Sequence, residues 1–197
     1  MQTVILAIDI ETTGPNFVKN GIISIGYCAG YLDGNVILKN RISLDISCKE
    51  FDSNCENNFW KEHQPLLKTL KKESVGIIKG LTKFISDIDD LDSKYNLIII
   101  SDFPLYDIGF INYYLAQYIN RAPLQHKFGD TKNYRPIYDT DCYSRGLLHL
   151  KYDSVWVYDS DVSNLLGFQI DKNLYTHLPE EDAYYIYRFH TNVIAKV

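Results

Sequence analysis

Little in this chain of 197 residues points to a metal ribbon, a membrane or a cationic coat. It has only four cysteines, Cys28, Cys48, Cys55 and Cys142, and no Cys-x-x-Cys pair, so neither a zinc ribbon nor a dithiol redox motif is written in it. Cys48, Cys55 and His63 offer zinc-binding side chains, but at a spacing that fits no standard site. No apolar run approaches the ~18 residues that span a bilayer. The start, Met1 to Ile8, has no basic region and meets an acid at Asp9, unlike a secretion signal. These absences predict an intracellular protein, cytoplasmic or nuclear, with reduced thiols and no membrane partner. Positive charge is also short: 20 Lys and Arg against 25 Asp and Glu leave a net charge of −5 with His neutral. That excludes a broad cationic face for coating long duplexes, because such affinity comes mostly from phosphate neutralisation.

No repeat, low-complexity tract or Pro/Gly/Ser-rich linker divides the chain, which predicts one domain over residues 1–197. At 46% hydrophobic and 23% charged the composition is globular. Thr3 to Ile10 reads as a buried strand, Ile22 to Cys28 as a second, and Val36 to about Ile46 as a third after an Asp33-Gly34-Asn35 turn. Ser74 is placed to cap a helix with the stripe Val75, Ile78, Leu81, Ile85 and Ile88. Leu97 to Ile100 reads as a buried strand, Tyr106 to Asn120 as a helix and 121–135 as a polar loop. Pro136 to Tyr138 reads as a short strand, and helices fit Thr140–Leu150, Asp161–Phe168 and Pro179–Val193. A three-strand meander followed by alternating helix and strand predicts a mixed α/β sheet with helices on its faces.

Chemistry concentrates at three places. Asp9-Ile10-Glu11-Thr12-Thr13-Gly14 ends the first strand, and strand alternation puts Asp9 and Glu11 on one face. Paired carboxylates on an apolar strand are costly unless something cationic compensates them, and a divalent ion with hard oxygen ligands is the natural candidate. After the fourth strand, Asp107 falls in the first turn of a helix with Phe110 one turn on. Asp102, at the strand end, is a rival for any carboxylate role, and an acid in a first helical turn also serves the helix dipole alone. Third, His177-Leu178-Pro179-Glu180-Glu181-Asp182-Ala183 reads as a loop histidine before a helix with Pro179 at its first position.

In this order, D-x-E-T-T-G, Y-D-x-x-F and H-x-x-x-x-D-A resemble the DEDDh family of 3′→5′ exonucleases. The similarity extends to Asp139-Thr140 before a helix and to Leu165-Leu166-Gly167 ahead of the histidine. The resemblance implies a ribonuclease H-like mixed five-stranded sheet: a three-strand meander plus parallel strands, flanked by helices. It implies that Asp9, Glu11, Asp107 and Asp182 hold two Mg²⁺ or Mn²⁺ ions and that His177 is the general base. Thr12, Thr13 and Phe110 would lie against the terminal nucleotide of a single-stranded 3′ end. Hydrolysis would then release nucleoside 5′-monophosphates. Two positions depart from the family pattern: Phe103 stands where Asn or His is common, and Pro179 where Ala is common.

Two clusters, Lys68-Lys71-Lys72 and Lys127-Lys132-Arg135, are candidates for steering a phosphate backbone or are simply solvated faces. Phe59-Trp60 reads as a base-stacking pair or a hydrophobic plug. Tyr113, Tyr114, Tyr184, Tyr185 and Tyr187 read as packing residues with hydroxyls toward water. Two other classes compete with an exonuclease: a non-catalytic nucleic-acid-binding module on the same fold, and a carboxylate-metal endonuclease in which His177 has no necessary role.

Overall fold

The computed structural model describes residues 1–126, 134–147, 159–169, 171, 173 and 176–196. Five strands form one sheet in the order β3-β2-β1-β4-β5: β1 (Thr3–Thr12), β2 (Ile22–Gly30), β3 (Val36–Ser43), β4 (Asn96–Ser101) and β5 (Ile137–Asp139). The meander β1-β2-β3 is antiparallel, and β4 and β5 add parallel to β1, as the mixed-sheet expectation requires. The ladder runs two residues further along β1 and β2 than their apolar runs. In consequence Glu11 and Thr12 are strand residues paired with Ser24 and Ile22.

Alternation along β1 divides the interior. Val4, Leu6, Ile8 and Ile10 face a core shared with α3 (Ile77–Lys94) and α4 (Pro104–Ile119). Ile5 and Ala7 face α7 (Pro179–Lys196), which packs Ala183, Ile186 and Tyr187 on them. A third cluster joins Ile23 and Ile46 to Trp60, Leu67 and Leu70. It gathers a short turn of helix, α1 (Ser53–Cys55), the π-helical turn Glu56–Trp60 and α2 (Gln64–Glu73) over the end of β2. The stretch before residue 74 is polar in composition, but Leu67 and Leu70 form an apolar face on α2, and their burial with Trp60 anchors these turns. Two shorter helices, α5 (Thr140–Leu147) and α6 (Asp159–Leu166), complete the described fold.

Several expectations need correcting. Ser74 closes α2 instead of starting α3, its hydroxyl donating to the Lys71 carbonyl at 2.8 Å. Val75 is spent on a parallel bridge to Leu44, so α3 begins at Ile77, and Ile78 is 60% exposed instead of lying in the stripe. The hydroxyls of Tyr114 and Tyr187 are not directed to water. Tyr114 accepts the Ile22 amide at 3.0 Å, and Tyr187 donates to the Tyr31 carbonyl at 2.6 Å. Arg135 is 3% exposed, donating to the carbonyls of Leu124 and His126 and pairing with Asp92, so it is a clamp on the 124–126 turn and offers no phosphate contact. Lys127, Lys132 and the last three residues expected in α5 lie outside the described residues. Among the described residues no helix is long and apolar enough to cross a membrane.

Candidate active site

Because β1 and β4 are parallel, their C-terminal ends open on the same edge of the sheet. Asp9 and Glu11 extend the Ile5–Ala7 row at that edge and face α7. Opposite Asp9 in the ladder stands Gly26. A Cβ there would fall 1.9 Å from the Pro179 carbonyl carbon and 2.3 Å from the Glu180 amide nitrogen. The missing side chain therefore lets the first turn of α7 lie directly on the sheet. Pro179, with its fixed φ and no N–H, suits that first turn.

This seating brings the third motif onto the first. Ligand-type atoms of Glu11, His177 and Asp182 all lie within 4.8 Å of one another. The Asp182 carboxylate accepts the Thr176 amide at 2.8 Å, fastening the turn that precedes α7. In that turn His177 takes a left-handed backbone, φ 61°, a conformation that costs a non-glycine residue about 1–2 kcal/mol and is held by the surrounding contacts. His177 Nδ1 stands 4.0 Å from Glu11 Oε1.

The mid-chain acids part company. Asp107 lies in the first turn of α4, 5% exposed, and accepts a hydrogen bond from the Ser101 hydroxyl at the end of β4. It is foremost among the charges acting on Asp9. Asp102 accepts from Thr140 and has Asp159, Asp139 and Asp141 for charged neighbours, while its charge also reaches Asp9, more weakly than that of Asp107, and Asp107 itself. Of the two rivals, Asp107 acts more strongly on Asp9 and is also among the charges that act on Glu11, where Asp102 is not.

The electrostatics are those of an uncompensated anionic pocket. Burial first, then Asp107, Glu11 and Asp182, push the Asp9 carboxyl well above its ordinary 3.8. Burial, then Asp182 and Asp107, do the same to Glu11. Burial, with the Asp102 charge adding to it, lifts Asp107 to about 7 against the opposing Ser101 and Phe103 hydrogen bonds, and burial lifts Asp182 to about 6. Among the described residues no lysine or arginine forms an ion pair with any of the four. His177 is shifted below 6.5, by burial and then by the neighbouring His63, which favours a neutral imidazole.

The expected nucleotide-facing residues fare differently. Thr12 shares a 2.6 Å hydrogen bond with Tyr106, while its carbonyl accepts the Trp60 indole N–H at 2.8 Å. Thr13 is fully buried: its hydroxyl donates to Glu50 and accepts from Gly21, and its amide donates to the Gly21 carbonyl. It closes the 13–21 loop and has no group left for a nucleotide. Phe110 is also fully buried, edge-on to Phe17 and packed on Tyr106 at 5.0 Å, so it supports the site's wall from inside.

The sequence does not single out His63 for this site. Its ring lies 4.6 Å from His177 and 4.6 Å from Phe59, and Phe59 stands perpendicular to His177 at 5.0 Å. No local signal announces it, because the contact spans more than half the chain. Cys48, Cys55 and His63 do not assemble as ligands: Cys48 is exposed, Cys55 donates to the Thr12 carbonyl and His63 turns to His177. Trp60 is fully buried and tied to Thr12, a plug and not a stacking surface.

No protein-family model matches the chain, and no curated protein matches it. Solved structures do share its architecture. The nuclease domain of 3′hExo, a DEDDh family member bound to rAMP, is 14% identical with a TM-score of 0.68, over 98% of this chain and 92% of that one. The zinc-bound complex of Escherichia coli exonuclease I with single-stranded DNA is 12% identical with a TM-score of 0.67, over 100% and 40%. Product-bound exonuclease I is 11% identical with a TM-score of 0.62, over 96% and 43%. The chain thus spans about two-fifths of the exonuclease I chains. The mixed five-stranded sheet with flanking helices is the ribonuclease H-like fold of these exonucleases.

Proposed function

We propose that the protein is a metal-dependent 3′→5′ exonuclease that removes nucleoside 5′-monophosphates from the 3′ ends of single-stranded or short nucleic acid inside the cell. The observation that carries this reading is the grouping of Glu11, Asp182 and His177 within 4.8 Å, with Asp9 and Asp107 interacting electrostatically with these acids and, among the described residues, no lysine or arginine ion-paired with any of the four. The fold shared with 3′hExo and exonuclease I agrees with it.

The donor set fits hard divalent cations. Carboxylates crowded together in a buried pocket are relieved of burial and mutual repulsion when a bound cation displaces their protons into solvent, and oxygen donors suit Mg²⁺ or Mn²⁺. In this reading Asp9, Glu11, Asp107 and Asp182 hold two such ions, which when bound supply electrostatic stabilisation to the reacting phosphate oxygens. The chain's own groups do the rest. His177, kept neutral by burial and by His63, accepts the proton of the attacking water, a contribution of about 10²–10⁴ in rate. Ser101 holds the Asp107 carboxylate toward the cluster, and Tyr106 and Trp60 fix the strand end at Thr12. The Asp182 carboxylate keeps the His177 turn in place.

A 5′-labelled single-stranded oligonucleotide with Mn²⁺, with and without EDTA, tests the proposal. A ladder shortening from the 3′ end, abolished by EDTA, is expected. Internal cuts would identify an endonuclease instead, and binding without cleavage a non-catalytic module.

A further inference from the structure

We infer that the lysine face of α2 grips the substrate strand on the 5′ side of the reacting phosphate, so that the site takes strands of several nucleotides in preference to dinucleotides. This rests on the exonuclease reading and specifies its substrate.

α2 starts at Gln64, directly after His63, whose ring lies 4.6 Å from His177. The helix therefore leads away from the acid cluster. At 1.5 Å of rise per residue, Lys68 is about 8 Å and Lys72 about 14 Å beyond His63 along the axis. Lys68, Lys71 and Lys72 are all exposed, and among the described residues none of them forms an ion pair. The single acid of α2, Glu73, is engaged by Arg41 at 2.6 Å. Lys71 is steadied over the Phe51 ring at 4.9 Å.

Gln64, Pro65, Leu67, Lys68 and Lys71 line a shallow groove of about 600 Å³, cationic on its rim and apolar on its floor. That combination matches a single strand, which presents phosphates along one side and base faces along the other. The helix is a rigid support, since Leu67 and Leu70 pack under it with Trp60, and Trp60 is bonded to Thr12 at the catalytic strand end. A second cation-lined groove, along β3, is a poorer receptor. There Lys39 is paired with Glu181, Arg41 with Glu73 and Glu180, and Lys83 with Asp87, so that of its four cations Lys79 alone has no ion pair among the described residues.

The test compares the wild type with the double variant Lys68→Glu/Lys72→Glu, both with Mn²⁺, on a single strand of about 12 nucleotides and on a dinucleotide. Both lysines are solvent-exposed, and an unchanged Tm verifies the fold. The expected result is a KM for the longer strand raised about tenfold at low salt with kcat retained, and dinucleotide kinetics unmoved. The dependence of log KM on log salt should also flatten by about 1.4, the effect of two lost phosphate contacts on a single strand. Cleavage by the wild type with KM unmoved in the variant, or raised equally on both substrates, overturns this inference alone. A wild type that cleaves neither substrate overturns the exonuclease reading and this inference with it.

Discussion

Replacing Asp107 with Asn should stabilise the metal-free protein while removing its activity. Burial holds this carboxyl at about 7 instead of 3.8. At about 1.4 kcal/mol per tenfold change in proton affinity, keeping it ionised above that pH costs the fold up to about 4 kcal/mol. The four acids redistribute protons when one is lost, so about 2 kcal/mol is the expected gain, or about 4–8 °C in Tm for a chain of this size. Asn retains an oxygen to accept the Ser101 hydroxyl, so no buried donor is orphaned. The sign follows from proton binding. Between pH 3.8 and about 7 the folded protein holds more protons at this site than the unfolded chain. Wild-type stability in EDTA therefore falls as pH rises through that window, and the loss is complete above it. The advantage of Asp107→Asn should vanish near pH 4 and reach its full value near pH 8. Mn²⁺ should raise the wild-type Tm at pH 8 more than that of the variant. Urea or thermal unfolding in EDTA at the two pH values reads this directly, with Asp102→Asn as the comparison that keeps nuclease turnover. Equal stability of wild type and Asp107→Asn at pH 8, or loss of turnover only in Asp102→Asn, would refute the assignment.

Three further outcomes are expected. Gly26→Ala drives a methyl group into the Pro179 backbone and should cost about 1–3 kcal/mol while abolishing turnover, because α7 must lift with His177 and Asp182; an active variant of native stability would contradict this seating. His177→Gln should lower kcat about 10²–10⁴-fold, with the Mn²⁺-induced rise in Tm retained; a pH–rate profile identical to the wild type's would rule out its role as base. Trp60→Phe leaves the Thr12 carbonyl with only the weak Cys55 thiol as a donor and should cost about 1–3 kcal/mol by urea unfolding, whereas a neutral result would mean that the indole hydrogen bond does not secure the strand end.

How much was legible beforehand depended on how local each cause was. The β1 acids could be read from strand alternation, and the start of α7 from Pro179 with acids in the first turn, whereas α4 begins at Pro104, two residues ahead of the Tyr106 expected from its apolar pattern. The order of motifs along the chain was enough to expect the mixed sheet. Choosing between Asp102 and Asp107 was not a local matter, since both lie just after β4. What separates them is tertiary: Asp107, held by Ser101, weighs on both Asp9 and Glu11, whereas Asp102, held by Thr140 of another helix, weighs on Asp9 but is not among the charges acting on Glu11. The same limit applied to Thr13 and Phe110, whose residue types suit a nucleotide contact but whose polar groups and ring are consumed by the 13–21 loop and the core.

The scarcities of the chain (few cysteines, no long apolar run, too few cations to coat a duplex) were settled by composition alone, as were the carboxylates available for a site. Tertiary structure alone decided which of them share one pocket. A bare Gly26 opposite Asp9 admits the first turn of α7, and an α2 anchored by Trp60 carries His63 to His177. Burial and repulsion act through space, so contacts between residues far apart in the chain turn ordinary acids into a pocket in need of cations.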